Sequence, residues 1–242
     1  MALVLYQFPI SHFCEKVRWA LDYKGLEYKK VNLLPGLHVK TTTKIAKNSS
    51  VPVLEHDGKF IQGSGKIISY LDDKFPEKKL SPPSSLDVQA ALEWERYLDN
   101  EFGLHVRRYV YHTLLKKPDP VIGFFASGGP FWAKPMLRFM FSKLSKKMRS
   151  YMEVNEESAA KSKQHIEKAL KRLNEALVGK EFLVGTQFTR ADLSAAALLA
   201  PLFMPAKYGL DWPEALPEPL QSEVTAMGPQ LQWAKDIYQA YR

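Results

Sequence analysis

Cysteine is almost missing from this chain: Cys14 is the only one in 242 residues. An intramolecular disulfide is therefore impossible, which fits a reducing compartment. Long apolar runs are missing too. The most apolar stretch, Leu193 to Met204, is interrupted by Pro201 and falls short of the roughly 20 residues a bilayer span needs. The N-terminus has neither the charged region nor the apolar core of a secretory signal. A soluble, cytoplasmic protein is the expectation. There is no zinc-ligand spacing, no Walker loop and no G-x-G-x-x-G. Nothing therefore implies a metal, P-loop chemistry or a dinucleotide. Internal repeats and low-complexity tails are also lacking.

What is present is ordinary for a globular protein. Hydrophobic residues make up 45% and charged residues 25%, enough for a real core and one or two domains. The formal charge of +8 favours anionic partners: acidic small molecules, nucleic acid or lipid head groups. The lysines are spread over the whole chain and read mostly as solvated faces. No recognition motif supports nucleic acid.

The most informative stretch is Leu3 to Gly25. Leu3-Val4-Leu5-Tyr6 reads as a short buried strand, Phe8-Pro9-Ile10 breaks it, and a helix follows Ser11-His12-Phe13-Cys14. Val17, Trp19, Ala20, Leu21 and Tyr23 supply that helix's apolar positions; Glu15, Lys16, Arg18 and Asp22 are its polar ones. Ser11 and Cys14 thus stand where a strand hands over to a helix. Free N–H groups and the helix dipole stabilise a negative charge there, and a thiolate is such a charge. The S-x-x-C pattern is the C-x-x-C redox layout with serine in the first slot.

Further along, residues 26–33 read as a second strand, 38–47 as a short irregular helix, and 51–55 as a third strand. His56-Asp57-Gly58 signals a hairpin returning through Lys59-Phe60-Ile61. A helix then runs from Ser64 to Phe75 and is stopped by Pro76. The order β-α-β-α-β-β-α is that of a thioredoxin-like domain over residues 1–76. A polar linker spans 77–85, and an all-helical domain spans 86–242. In the latter we expect one long helix over 86–115, ended by Pro118-Asp119-Pro120, and further helices over 158–177, from Thr189 onward, and over 231–241. Phe124-Phe125 and Gly128-Gly129-Pro130 read as a loop before an amphipathic basic stretch, Phe131 to Met152. That stretch reads as a helix packed on the core, an aromatic lid, or a basic face lying on anionic membrane.

An α/β domain, a polar linker and a helical domain together resemble the glutathione transferase superfamily. The residues that carry the resemblance are the serine-type, bacterial-like motif from Ser11 to Arg18; Val51-Pro52-Val53-Leu54, similar to the family's cis-proline segment; Ser64, Ile67 and Tyr70-Leu71; and Gly185, Phe188, Thr189, Ala191 and Asp192. The resemblance implies a homodimer, glutathione as co-substrate, and a small hydrophobic electrophile in a pocket formed by the helical domain. It marks Ser11 as catalytic, donating a hydrogen bond that favours the glutathione thiolate. It puts Phe13, His38, Val51, Pro52, Gly63 and Ser64 at the glutathione-binding surface, with His38 or Lys40 near the glycyl carboxylate. Gly63 and Lys66 depart from the family pattern, which usually has an acidic residue before the serine and alanine two places after it.

Other readings stay open at several positions. Ser11 and Ser64 can be plain helix N-caps. Cys14 can be the nucleophile of a glutathione-dependent reductase or isomerase, or an inert buried thiol. Lys40, Lys44 and Lys47 can be a solvated face. Asp192 reads as the acid of a capping box rather than a catalytic group. A non-catalytic ligand-carrying or protein-binding role is the third reading of the whole chain.

Overall fold

A computed structural model describes residues 2–242. Its N-terminal part contains β1 (Leu3–Gln7), α1 (His12–Tyr23), β2 (Lys29–Asn32), α2 (His38–Ile45), β3 (Val53–His56), β4 (Lys59–Gln62) and α3 (Ser64–Lys74). The strands form one mixed sheet in the order β2-β1-β3-β4. β1 runs parallel to β2 and antiparallel to β3, with Leu5 opposite both Lys30 and Leu54. Alternate β1 residues are buried, as a half-covered strand requires. The hairpin falls where the sequence puts it, with Asp57 and Gly58 both at positive φ. α2 is regular despite its threonines. Thr42 and Thr43 turn their hydroxyls back onto the carbonyls of His38 and Val39.

The remainder is helical: α4 (Ser85–Tyr97), α5 (Leu104–Leu114), α6 (Pro118–Ala126), α7 (Ala133–Met152), α8 (Glu156–Ala176), α9 (Arg190–Leu199), α10 (Leu220–Met227) and α11 (Gln232–Tyr241). Two sequence expectations are corrected here. The long helix over 86–115 is interrupted by a π-helical segment, Leu98–Gly103, that joins α4 to α5. Pro118-Asp119-Pro120 does not merely stop a helix. It starts α6, with Pro118 in the first helical position, where its missing N–H costs nothing. Phe124 and Phe125 are consequently buried helix residues, not loop.

α1 packs against α3 and α9, and its Trp19 and Glu15 meet Tyr238 of α11. Three of its polar residues are therefore enclosed: Glu15, Lys16 and Arg18 are buried, while Asp22 stays exposed. The connection after α3 is also tied down. Asp72 accepts hydrogen bonds from the N–H groups of Leu80 and Ser81 and pairs with Lys24 at 2.8 Å. Leu80 is fully buried, and its carbonyl accepts the Arg190 N–H at 2.8 Å. At the start of α9, Thr189 and Asp192 form the expected capping box. Asp192 also accepts the Leu183 N–H. No helix among the described residues is long and apolar enough to cross a membrane.

Candidate functional site

The sheet register brings the predicted site segments to one end of the two central strands. Tyr6 lies opposite Val53, so the end of β1 and the Phe8–Ile10 turn run beside the Val51-Pro52 segment. Val53 lies opposite Gln62, and the Gly63 N–H donates to the Pro52 carbonyl at 3.1 Å. The starts of α1 and α3 therefore flank the Val51–Pro52 peptide, which is cis.

Ser11 is half-buried and caps α1: its Oγ accepts the Cys14 N–H at 3.3 Å. This bond uses one lone pair and leaves the hydroxyl proton free to donate. Capping and thiolate activation are thus compatible in one side chain. Cys14 is fully buried. Burial pushes its thiol up, and the opposing pull of the Ser11 hydroxyl and Arg18 is smaller. Such a thiol is a poor nucleophile. Phe13 packs its ring toward the helical half, where a Cβ on Gly103 would come within 2.9 Å of its Cζ.

Ser64 is buried but does not cap α3. The cap position belongs to Gly63, whose φ of 98° suits glycine. Among the described residues no hydrogen bond is made by Ser64 Oγ, and no side chain caps the first turn of α3. The hydroxyl and the adjacent N–H groups together can hold a carboxylate. Gly65 is fixed from below: its carbonyl accepts from Arg190 Nη2 at 2.9 Å. Lys66 is exposed.

His38 lies half-buried at the start of α2, with Phe8 edge-on at 4.8 Å. Its Nδ1 accepts the Gly36 N–H at 3.1 Å, so the neutral ring carries its proton on Nε2. Burial lowers its pKa, and Lys147 on α7 adds to this. Lys40, Lys44 and Lys47 are exposed. α7 is less enclosed than a core helix: only Ala133, Leu137 and Met152 are buried, while Phe139 is 92% exposed.

Two features escaped the sequence reading. One is a buried charge cluster. Lys16 Nζ meets Glu95 at 3.1 Å and Asp99 at 2.6 Å, and Glu95 also meets Arg190 at 2.6 Å. The other is His12, which is buried with no hydrogen-bond partner for Nε2. Burial, with the charges of Arg107 and Lys16, drives its pKa down to about 3, so it is neutral. Nothing in the polar pattern of the first helix distinguishes a buried lysine from a solvated one.

Comparison with known proteins agrees with this architecture. The family model for the glutathione S-transferase N-terminal domain matches residues 5–79, and that for the C-terminal domain matches residues 131–218. Glutathione S-transferase 1 of Dianthus caryophyllus is 43% identical over 94 residues, which is 36% of this chain and 42% of that protein. A probable glutathione S-transferase of Nicotiana tabacum is 26% identical over 191 residues, covering 78% of this chain and 66% of the relative. The chain thus spans less than two thirds of these relatives' length. The crystal structure of the β-etherase LigF from Sphingobium sp. strain SYK-6 shares the fold. It matches with a TM-score of 0.66 and 23% identity over 99% of both chains.

Proposed function

This chain belongs to the glutathione transferase superfamily, and from that premise we propose that it conjugates glutathione to a small hydrophobic electrophile, with Ser11 activating the thiolate. The observation that supports the proposal is the Ser11 hydroxyl at the start of α1, which caps the helix through a lone pair, so that the capping bond does not occupy its proton. That proton donates to the glutathione sulfur and lowers the thiol pKa; each unit is worth about 1.4 kcal/mol. The thiol proton leaves to solvent. The sulfur forms a bond to the electrophilic carbon, and the leaving group departs with its electron pair. Val51 aligns the cysteinyl backbone. Ser64 and the first N–H groups of α3 take the γ-glutamyl carboxylate in the absence of an acidic neighbour at Gly63. His38 Nε2–H faces the glycyl end. Phe13 and Pro52 shape the floor. The functional unit in this reading is a homodimer.

The test is retention on immobilised glutathione followed by turnover of 1-chloro-2,4-dinitrobenzene. Ser11→Ala should lose about tenfold or more in kcat/KM, and Cys14→Ala should stay active. Loss of turnover in Cys14→Ala alone would transfer the chemistry to the thiol and refute the assignment. Retention without turnover would favour a ligand carrier.

The likeness to LigF favours a second reaction on the same site. The glutathione thiolate held by Ser11 can attack the carbon of an aryl ether, forming C–S as C–O breaks and the phenolate leaves with the electron pair. Phenol release from a β-aryl ether substrate, faster than dinitrobenzene turnover, would select that reading.

A further inference from the structure

Most of the net charge of the molecule sits on one helix. α7 carries Lys134, Arg138, Lys143, Lys146, Lys147 and Arg149 and no acidic residue. The chain has 34 cations against 26 acids, and without those six cations it would have 28. Among the described residues only Arg138 of the six has an acidic partner, Asp119. Lys134, Lys143, Lys146 and Lys147 are exposed and unpaired. α2 meets α7 where a Cβ on Gly36 would lie 3.8 Å from Leu144, and it adds Lys40 and Lys44, again without an acid.

The inner face of α7 accounts for its packing. Ala133, Leu137 and Met152 are buried, and Phe141, Leu144 and Met148 lie against the core. Phe139 belongs to the outer face. It shares a stripe with Lys143 and Lys146, four and seven positions further on, and is open to water. Phe131, just before the helix, is 95% exposed, and Trp132 beside it is exposed as well. A lone exposed phenylalanine is ordinary. Two of them along an acid-free basic face fit a partner whose surface is anionic and whose interior is apolar. A second copy of the same face would set cation against cation. Nucleic acid shares the charge but has no apolar interior for the phenyl rings, and no recognition motif supports it. An anionic bilayer leaflet has both properties.

We propose that the outer face of α7 docks on an anionic membrane surface, its lysines meeting lipid head groups while Phe131 and Phe139 enter the interface beneath them. Lysine stems are long enough to keep their ammonium groups at head-group level while a neighbouring phenyl ring sits deeper. The attachment is peripheral, needs no spanning helix, and is independent of the transferase reading.

The experiment is co-sedimentation of the full chain with vesicles of phosphatidylcholine alone or with about 30% phosphatidylserine, at about 50 mM and about 500 mM salt. Wild type should pellet with the anionic vesicles at low salt, and not at high salt or with neutral vesicles. Each cation near an anionic leaflet strengthens binding about fivefold. Lys143→Gln, Lys146→Gln and Lys147→Gln together should therefore weaken partitioning about a hundredfold. Phe139→Ser should weaken it about tenfold without changing its salt dependence. A control removes the same charge from exposed positions of α8, as Lys161→Gln, Lys168→Gln and Lys171→Gln; it should bind within about twofold of wild type, because those lysines stand away from the proposed face. Every substituted side chain is exposed, so melting temperatures should agree and report that each variant is folded. Wild type that stays in the supernatant with anionic vesicles at low salt would overturn the proposal. So would an equal loss in the α8 control, which would leave only net charge at work, or wild-type binding by Phe139→Ser. A labelled single-stranded oligonucleotide that strips the protein from the vesicles and binds it more tightly at the same salt would make the face a nucleic-acid site and end the membrane assignment.

Discussion

Glu95→Gln is the perturbation that tests most directly how the two halves of the molecule hold the site. Glu95 places one oxygen 3.1 Å from Lys16 and the other 2.8 Å and 2.6 Å from Nε and Nη2 of Arg190. Lys16 is fully buried, and Arg190 and Glu95 are each 3% exposed. With Asp99 the cluster balances two cations against two acids. The amide removes one negative charge and must aim its own N–H donors at one of the cations. Breaking a buried pair from one side costs about 3–5 kcal/mol, because the partner stays charged and unpaired. That is a large part of the about 5–15 kcal/mol expected of a whole domain. The effect should reach the site as well, since Arg190 also holds the Gly65 carbonyl and Ser69 Oγ beneath the first turn of α3. Equilibrium urea unfolding at pH 7 should show the loss, and retention on immobilised glutathione should weaken. A change below about 1 kcal/mol with retention intact would refute the reasoning, because desolvation would then have cancelled whatever the pairs contribute.

Other consequences follow from single contacts. Gly128→Ala should destabilise by about 1–2 kcal/mol from its positive φ alone, and more from the new Cβ, which would sit 2.2 Å from Asn32 Nδ2. Adding Asn32→Ser should relieve the steric part in thermal melts but not the backbone part. Burial would raise the Asp72 carboxyl, but hydrogen bonds from Lys24, Ser81 and Leu80 outweigh it and hold the pKa below the usual 3.8. A depressed folded pKa gives stability that is complete above about pH 4 and lost as pH falls through the folded value. Asp72→Asn should therefore lower the urea midpoint at pH 7 and flatten the acid limb; parallel wild-type and variant curves would contradict this. Native Cys14 should resist iodoacetamide at pH 8 and react only on unfolding, as mass spectrometry of the alkylated peptide would report. Rapid native labelling would revive the thiol as a nucleophile.

Much of the framework was legible because it is written in local signals. Asp57-Gly58 dictates a tight hairpin, and Thr189 with Asp192 dictates a helix start. Val51-Pro52 and Ser11 through Cys14 mark the strand and helix ends that frame the candidate site. At Ser64 the sequence left a plain N-cap and a carboxylate site both open; the structure gives the cap position to Gly63, at a φ of 98°, so Ser64 is not the cap. Phe124-Phe125 was misread because a proline pair ends one helix and begins another with the same residues.

The order of elements, the turns and the site segments were thus set by the sequence itself, through residues whose preferences act over a few positions. The tertiary structure alone decided which charges went inside. A helical pattern presumes one wet face, but α1 is covered by later parts of the chain, and that encloses Glu15, Lys16 and Arg18, which meet Arg242, Glu95 and the Tyr208 carbonyl from far away in the chain. Pairing of buried charge depends on which distant elements meet, and no local pattern records that.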